Sequence, residues 1–242
     1  MFMQLEGTKR FRLSAPNDIL AMQPFPTVHP HARQAQKPYD APASQANSHR
    51  IIEAEIGPGE VLWLPAYWYH EVQAVSPTVS MSIHAMTAEG EFFDAMYRGG
   101  PTATLPFLPQ PGGVEPMWTV QRMMATMRLH LPMLFEQLRP RLNGFDPVEA
   151  VVRSMWSEAV RADLGPPPTA KLLCEDPTEA DALRVRAKLP VMLKRFEHVP
   201  DDLLPIYSVI YLEMVHGYIQ FPLGVAFLEQ CLLNTPLAGA SS

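Results

Sequence analysis

The sequence predicts an α+β protein with its strands first and its helices after. Residues 1 to about 88 carry strand and turn signals, with apolar residues alternating at period two. Gly99 to Pro116 is a Pro/Gly-rich connector. Beyond it, apolar residues recur at intervals of three and four, the spacing of one helix face. The chain therefore divides into a strand-rich part over 1–98, a connector over 99–116 and a helical region over 117–242.

The elements follow in order. Gly7-Thr8-Lys9-Arg10-Phe11-Arg12-Leu13 reads as a strand that closes before Pro16, and Lys37 to Arg50, with its Pro, Ala, Ser, Gln and Asn, reads as a surface loop. Gly57-Pro58-Gly59 forms a turn, and Glu60 leads into the apolar run Val61 to Leu64. Pro65 stops that ladder because it has no N–H to donate. Tyr67, Trp68 and Tyr69 follow, and His70 opens a second extended segment to Val75. After the Ser76-Pro77 turn, Val79 to His84 alternates like a half-buried strand. Glu89 to Tyr97 reads as a short helix.

Trp118, Met123, Met127, Leu131 and Leu134 place an amphipathic helix over Met117 to Leu138, with Pro132 as a kink or boundary. Asp146 is a suitable N-cap, with Pro147 in the first turn, for a helix to about Leu164. Gly165-Pro166-Pro167-Pro168 is a stiff linker. Pro177-Thr178 opens a helix to about Lys188, Pro190 starts a further one, and Leu203 to Leu233 holds the last helical material.

Composition narrows the function classes. The net charge of −6 provides no basic field for nucleic acid or for an anionic membrane. Cys174 and Cys231 form neither a disulfide framework nor a zinc spacing, which points to a reducing compartment, cytoplasmic or nuclear. Glu213, His216, Gln220, Pro222 and Glu229 interrupt the most apolar stretch, so it reads as buried helix rather than a bilayer span.

The order turn, apolar strand, Pro, aromatic pair, His, strand, turn, strand resembles the C-terminal half of a JmjC-type, cupin-like Fe(II)/2-oxoglutarate oxygenase domain. Gly7 to Leu13 with Pro16 resembles that family's G-x-K-R-F-x-L-x-P strand, and Phe25 to Gln36 resembles the loop after it. The subgroup it looks most like is the asparaginyl hydroxylase that inhibits hypoxia-inducible factor, with its cupin-like relatives. The resemblance covers about residues 1 to 90. It implies a partial double-stranded β-helix, or jelly roll, followed by helices, which in these hydroxylases form a dimer interface. It also implies iron and 2-oxoglutarate as cofactors and a protein side chain as substrate.

Carried over residue by residue, the resemblance makes His70 the last iron ligand and Lys9 the cation that anchors the distal carboxylate of 2-oxoglutarate; an exposed strand lysine is the other reading of Lys9. His84 stands where the family has an asparagine that contacts the cosubstrate; a packed strand histidine is the other reading. Arg33 and Gln34 match a substrate-contacting loop, against the reading of a solvated loop. Trp68 and Tyr69 fill the barrel or wall an iron pocket. Glu71 should face away from His70 and is a poor substitute ligand.

The family's first two iron ligands come from an H-x-D or H-x-E upstream of the Lys9 strand. None of the eight histidines here is followed two positions later by Asp or Glu. The expectation is the second half of an oxygenase fold, N-terminally incomplete, without two of its three metal ligands and inactive as it stands. A non-catalytic assembly protein on a degenerate barrel is the alternative. Unpaired barrel edges should be covered by the protein's own helices or by a homodimer through the Trp118–Leu134 stripe.

Overall fold

In the computed structural model, the described residues are 1–26, 29–32, 34–36, 51–86, 90–91, 98, 120–155, 157, 160, 162, 175–219 and 223–233. They fall into two compact units, the first of residues 1–24 and 35–91 and the second of 25–34 and 92–242. The connector 99–116, the loop 37–50, and Arg33 lie outside the described residues.

The first unit contains two antiparallel three-stranded sheets. In order along the chain, the strands are β1 (Phe2–Glu6), β2 (Lys9–Ser14), β3 (Ile52–Ile56), β4 (Val61–Leu62), β5 (Tyr69–Ala74) and β6 (Val79–Ser82). Sheet A has the order β4-β1-β6 and sheet B the order β3-β2-β5. Consecutive strands thus alternate between sheets except at the β2–β3 step. A 3₁₀ turn over Pro16–Asp18 and the short helix α1 (Ile19–Met22) follow β2. Strand β3, not anticipated above, has the sequence IEAEI, whose glutamates alternate with apolar residues at period two and leave Ile56 buried.

The two sheets meet through Phe2 and Phe11, whose rings lie edge to face at 5.2 Å. Phe11, Leu13 and Ile56 form the buried centre, with Phe2, Leu62, Leu64 and Trp68 packed against it. The pleat then sorts every other residue. On β2 the even positions face outward, where Arg10 pairs with Glu55 at 3.2 Å and Arg12 with Glu53 at 3.0 Å and Glu71 at 3.3 Å. The outer side of sheet A is the opposite in character. Leu5, Val61, Trp63, Val79 and Met81 all stand exposed there.

The helical material comprises α2 (Val120–Leu142), α3 (Pro147–Met155), α4 (Glu179–Phe196), α5 (Leu204–Ile219), α6 (Leu223–Phe227) and a π-helical stretch Leu228–Leu233. Helix α5 is apolar nearly all round and is buried accordingly: Tyr207, Tyr211, Leu212 and Val215 are out of solvent. Asp146 caps α3 as expected, accepting from Val148 N at 2.9 Å and Glu149 N at 3.1 Å. Helix α4 opens on a capping box in which the Thr178 amide donates to Asp181 Oδ2 at 2.7 Å.

Three expectations need correction. Helix α4 does not end at Lys188 but runs through Pro190. That proline lies on the exposed side, so the carbonyl it leaves without a donor faces water, while Val185, Met192 and Phe196 hold the buried side. The α2 stripe expected to meet a second copy is intramolecular core: Met127, Leu131 and Leu134 are fully buried, and α4 and α5 pack on α2. Finally, Cys231 is disulfide-bonded, which removes the observation on which a reducing compartment rested. No helix among the described residues is long and apolar enough to cross a membrane.

Candidate functional site

The pairing of β2 with β5 places the two strongest sequence candidates on one face. Leu13 stands opposite His70, Phe11 opposite Val72 and Lys9 opposite Ala74. Directly opposed residues share a face, so His70 and Lys9 both turn inward with Phe11 and Leu13. They lie four ladder positions apart, roughly 13 Å along the strand. Glu71, one residue on, points outward to Arg12, as anticipated.

His70 occupies the open end of that face and is exposed. Its Nδ1 donates to the Trp68 carbonyl at 3.1 Å, and the edge of Phe2 lies 6.3 Å from its ring. With the proton held on Nδ1, Nε2 keeps its lone pair, the tautomer a metal-binding or proton-accepting imidazole requires. Trp68 packs on the core, the filling role expected of it. Tyr69 stands opposite Ser14 and so lies on the other face of sheet B from His70; it does not wall this site.

Lys9 occupies the other end. Its Nζ donates to Ser80 Oγ on β6 at 2.5 Å, a bond between the sheets. No carboxylate pairs with it among the described residues. Beside it, Gln4 is fully buried and lies opposite Ser80 in the β1–β6 pairing. The Gln4 amide nitrogen donates to the Glu6 carbonyl and to Thr78 Oγ1, and its Oε1 has no hydrogen-bond partner among the described residues. The inner face is therefore apolar in the middle and polar at the Lys9 end. Gln4 and Ser80 do not stand out in the sequence, although Gln4 shares parity with Phe2 and so faces inward with it.

The remaining candidates do not join this cluster. His84 is exposed, two residues beyond β6. Gln34 is exposed in a loop that groups with the second unit, its amide donating to the His31 carbonyl at 3.0 Å. In the same loop, His29 is buried and stacked on Phe25 at 4.4 Å, and the His31 amide donates to its Nδ1 at 3.1 Å. His29 thus packs within the loop.

A three-ligand iron site needs two more donors beside His70. Among the described residues no group of three or more His, Cys, Asp or Glu is placed to hold a metal ion. The described residues do not fit such a centre. Residues 1–85 match the family model of the cupin-like domain.

Proposed function

We propose that this chain is a JmjC/cupin-like protein related to Fe(II)/2-oxoglutarate-dependent protein hydroxylases of the asparaginyl hydroxylase subgroup. In this reading its inner face binds a dicarboxylate, and these 242 residues alone do not oxidise a substrate. The observation that carries the binding half is the inward ammonium of Lys9. It rests on a neutral hydroxyl, beside a buried amide oxygen, without a carboxylate partner among the described residues. A charge in that position is stabilised by an anionic ligand through a charge-assisted hydrogen bond. His70, at the far end, would meet the second polar end of a short linear diacid. The catalytic half fails on ligand count, because one imidazole supplies neither chelation nor charge neutralisation for the metal, and no iron step is assigned.

Two measurements test this together. Calorimetric titration with 2-oxoglutarate should show binding that Lys9→Met weakens by about tenfold or more. An anaerobic Fe(II) titration followed by a succinate assay should show no turnover. Iron-dependent turnover that vanishes in His70→Ala would overturn the inactive reading. Absent or Lys9-independent binding would overturn the dicarboxylate reading. The second reading, a non-catalytic assembly protein, draws on the exposed apolar outer side of sheet A.

A further inference from the structure

One buried atom on the inner face of the strand unit calls for a donor that the described residues do not supply: the side-chain oxygen of Gln4. Gln4 is fully out of solvent. Its amide nitrogen donates to the Glu6 carbonyl and to Thr78 Oγ1. A carbonyl accepts and never donates, so turning the amide over would set two acceptors against each other at Glu6. The nitrogen is thereby fixed toward Glu6, and Oε1 is the atom left over, with no hydrogen-bond partner among the described residues. A buried acceptor in that state is costly, and native structures supply it from the protein, from water or from a ligand.

Groups of the opposite character stand next to it. Met1 and Ile83 exchange two hydrogen bonds of 2.9 Å, so every second pair of the β1–β6 ladder is hydrogen-bonded and Gln4 with Ser80 falls on a non-hydrogen-bonded one. Side chains lie closest at such positions, with Cβ atoms about 5 Å apart. Ser80 Oγ in turn accepts from Lys9 Nζ at 2.5 Å. An ammonium carries three hydrogens, and that bond uses one of them. This end of the face therefore offers donors from Lys9 and one fixed acceptor from Gln4.

If the face takes a dicarboxylate, the reading on which this inference rests, that pattern decides which one fits. An ionised carboxylate only accepts: it takes hydrogens from Lys9 and leaves Gln4 Oε1 beside another oxygen. An ammonium substituent on the ligand would serve Oε1 but repel the Lys9 ammonium. A carboxamide end would serve it too, at the loss of the charge-assisted bond to Lys9. A hydroxyl on the carbon next to the carboxylate meets both demands, since the acid end accepts from Lys9 while the hydroxyl donates to Gln4.

We propose that Gln4 is a specificity-determining residue, and that this end of the inner face selects a 2-hydroxydicarboxylate over the unsubstituted diacid. Gln4 Oε1 accepts from the ligand hydroxyl, and Lys9 Nζ donates to the neighbouring carboxylate.

Calorimetric titration of the full chain with succinate, malate and 2-methoxysuccinate tests the proposal. The three share one carbon chain; malate adds a hydroxyl, and the methyl ether keeps its oxygen but not its hydrogen. Malate should bind at least about tenfold tighter than succinate, and 2-methoxysuccinate no tighter than succinate. Gln4→Leu, with unchanged circular dichroism, should bring malate to within about threefold of succinate, whereas Lys9→Met should weaken both. Should Gln4→Leu fail to fold, the three ligands on the unaltered chain still decide. Malate that binds no tighter than succinate, or not at all, overturns the proposal and leaves Oε1 to a water. So does 2-methoxysuccinate that matches malate, or a folded Gln4→Leu that keeps the full preference. The dicarboxylate reading is judged apart from this, by 2-oxoglutarate: binding that Lys9→Met weakens leaves it standing when the preference for malate is absent.

Discussion

Nε2 of His130 on α2 lies 2.9 Å from the hydroxyl of Tyr211 on α5, and both side chains are fully out of solvent. The rings meet edge on at 6.3 Å, and Tyr211 in turn meets Phe196 of α4 edge on at 5.8 Å. Burial, reinforced by the positive charge of Arg195, lowers the His130 pKa from 6.5 to about 3. Three helices thus converge on a neutral imidazole.

The sign of the pH effect follows. Unfolded, His130 takes up a proton near pH 6.5; folded, it does so only near pH 3. Between these values the unfolded chain holds the extra proton, so the stability this group contributes is full above 6.5 and is lost as pH falls. Each pH unit below 6.5 costs at most roughly 1.4 kcal/mol. Urea unfolding at about pH 7 and about pH 5 should show a loss that is smaller by about 2 kcal/mol in His130→Gln. An equal loss in both proteins would refute the assignment.

Tyr211→Phe removes the hydroxyl and leaves the imidazole with one fewer partner in a dry core. The expected cost is about 1–3 kcal/mol at neutral pH, read as a lower urea midpoint at unchanged slope. A neutral effect would mean that His130 is satisfied without Tyr211.

Asp181 serves α4 and α2 together. It is buried, accepts from the Thr178 hydroxyl and amide at 2.7 Å each, and meets Arg122 of α2 at 2.5 Å. Burial alone would raise its pKa, but the Thr178 hydrogen bonds and the Arg122 and Arg184 charges outweigh it and hold the carboxyl below its ordinary range. Its contribution is therefore present above the ordinary carboxylate pKa and is lost as pH falls through the lowered one. Asp181→Asn should destabilise by about 1–3 kcal/mol at neutral pH and very little in strong acid. A loss that persists unchanged in acid would point to packing instead.

Two glycines with positive φ should behave differently. At Gly7, with φ of +70°, an added Cβ would sit 2.0 Å from the Pro77 carbonyl oxygen, inside hard contact. At Gly59, with φ of +85°, nothing lies within 4 Å. Gly59→Ala should cost about 1 kcal/mol for the backbone alone, and Gly7→Ala clearly more, because the turn into β2 has to move. Equal thermal shifts would show that the Pro77 turn yields freely.

The sequence disclosed the parts of this fold that rest on strict period-two logic. Lys9, Phe11 and Leu13 had to share a face, and Glu71 had to leave the face of His70; the structure has both. It concealed what depends on partners distant in the chain. Nothing near His130 announces Tyr211, which is 81 residues away. Pro190 read as a helix boundary because its exposure, which lets the helix continue past it, is a tertiary fact. The candidate site was half visible for the same reason: the charged and aromatic members stand out, whereas Gln4 and Ser80 matter only once β1 and β6 lie side by side.

The outer ion pairs of sheet B contribute little energy, roughly 0–1 kcal/mol each at their exposure. Their consequence lies in which alignment of the strands survives. Were β5 to slip by one residue against β2, Glu71 would rotate onto the face that His70 holds, and Arg12 would lose a partner on the other face. An unpaired carboxylate and a stranded guanidinium would arise in the same misstep. The charges on one side of this sheet therefore act as an error check on its other side. They penalise every folding attempt that would present a carboxylate where the imidazole belongs.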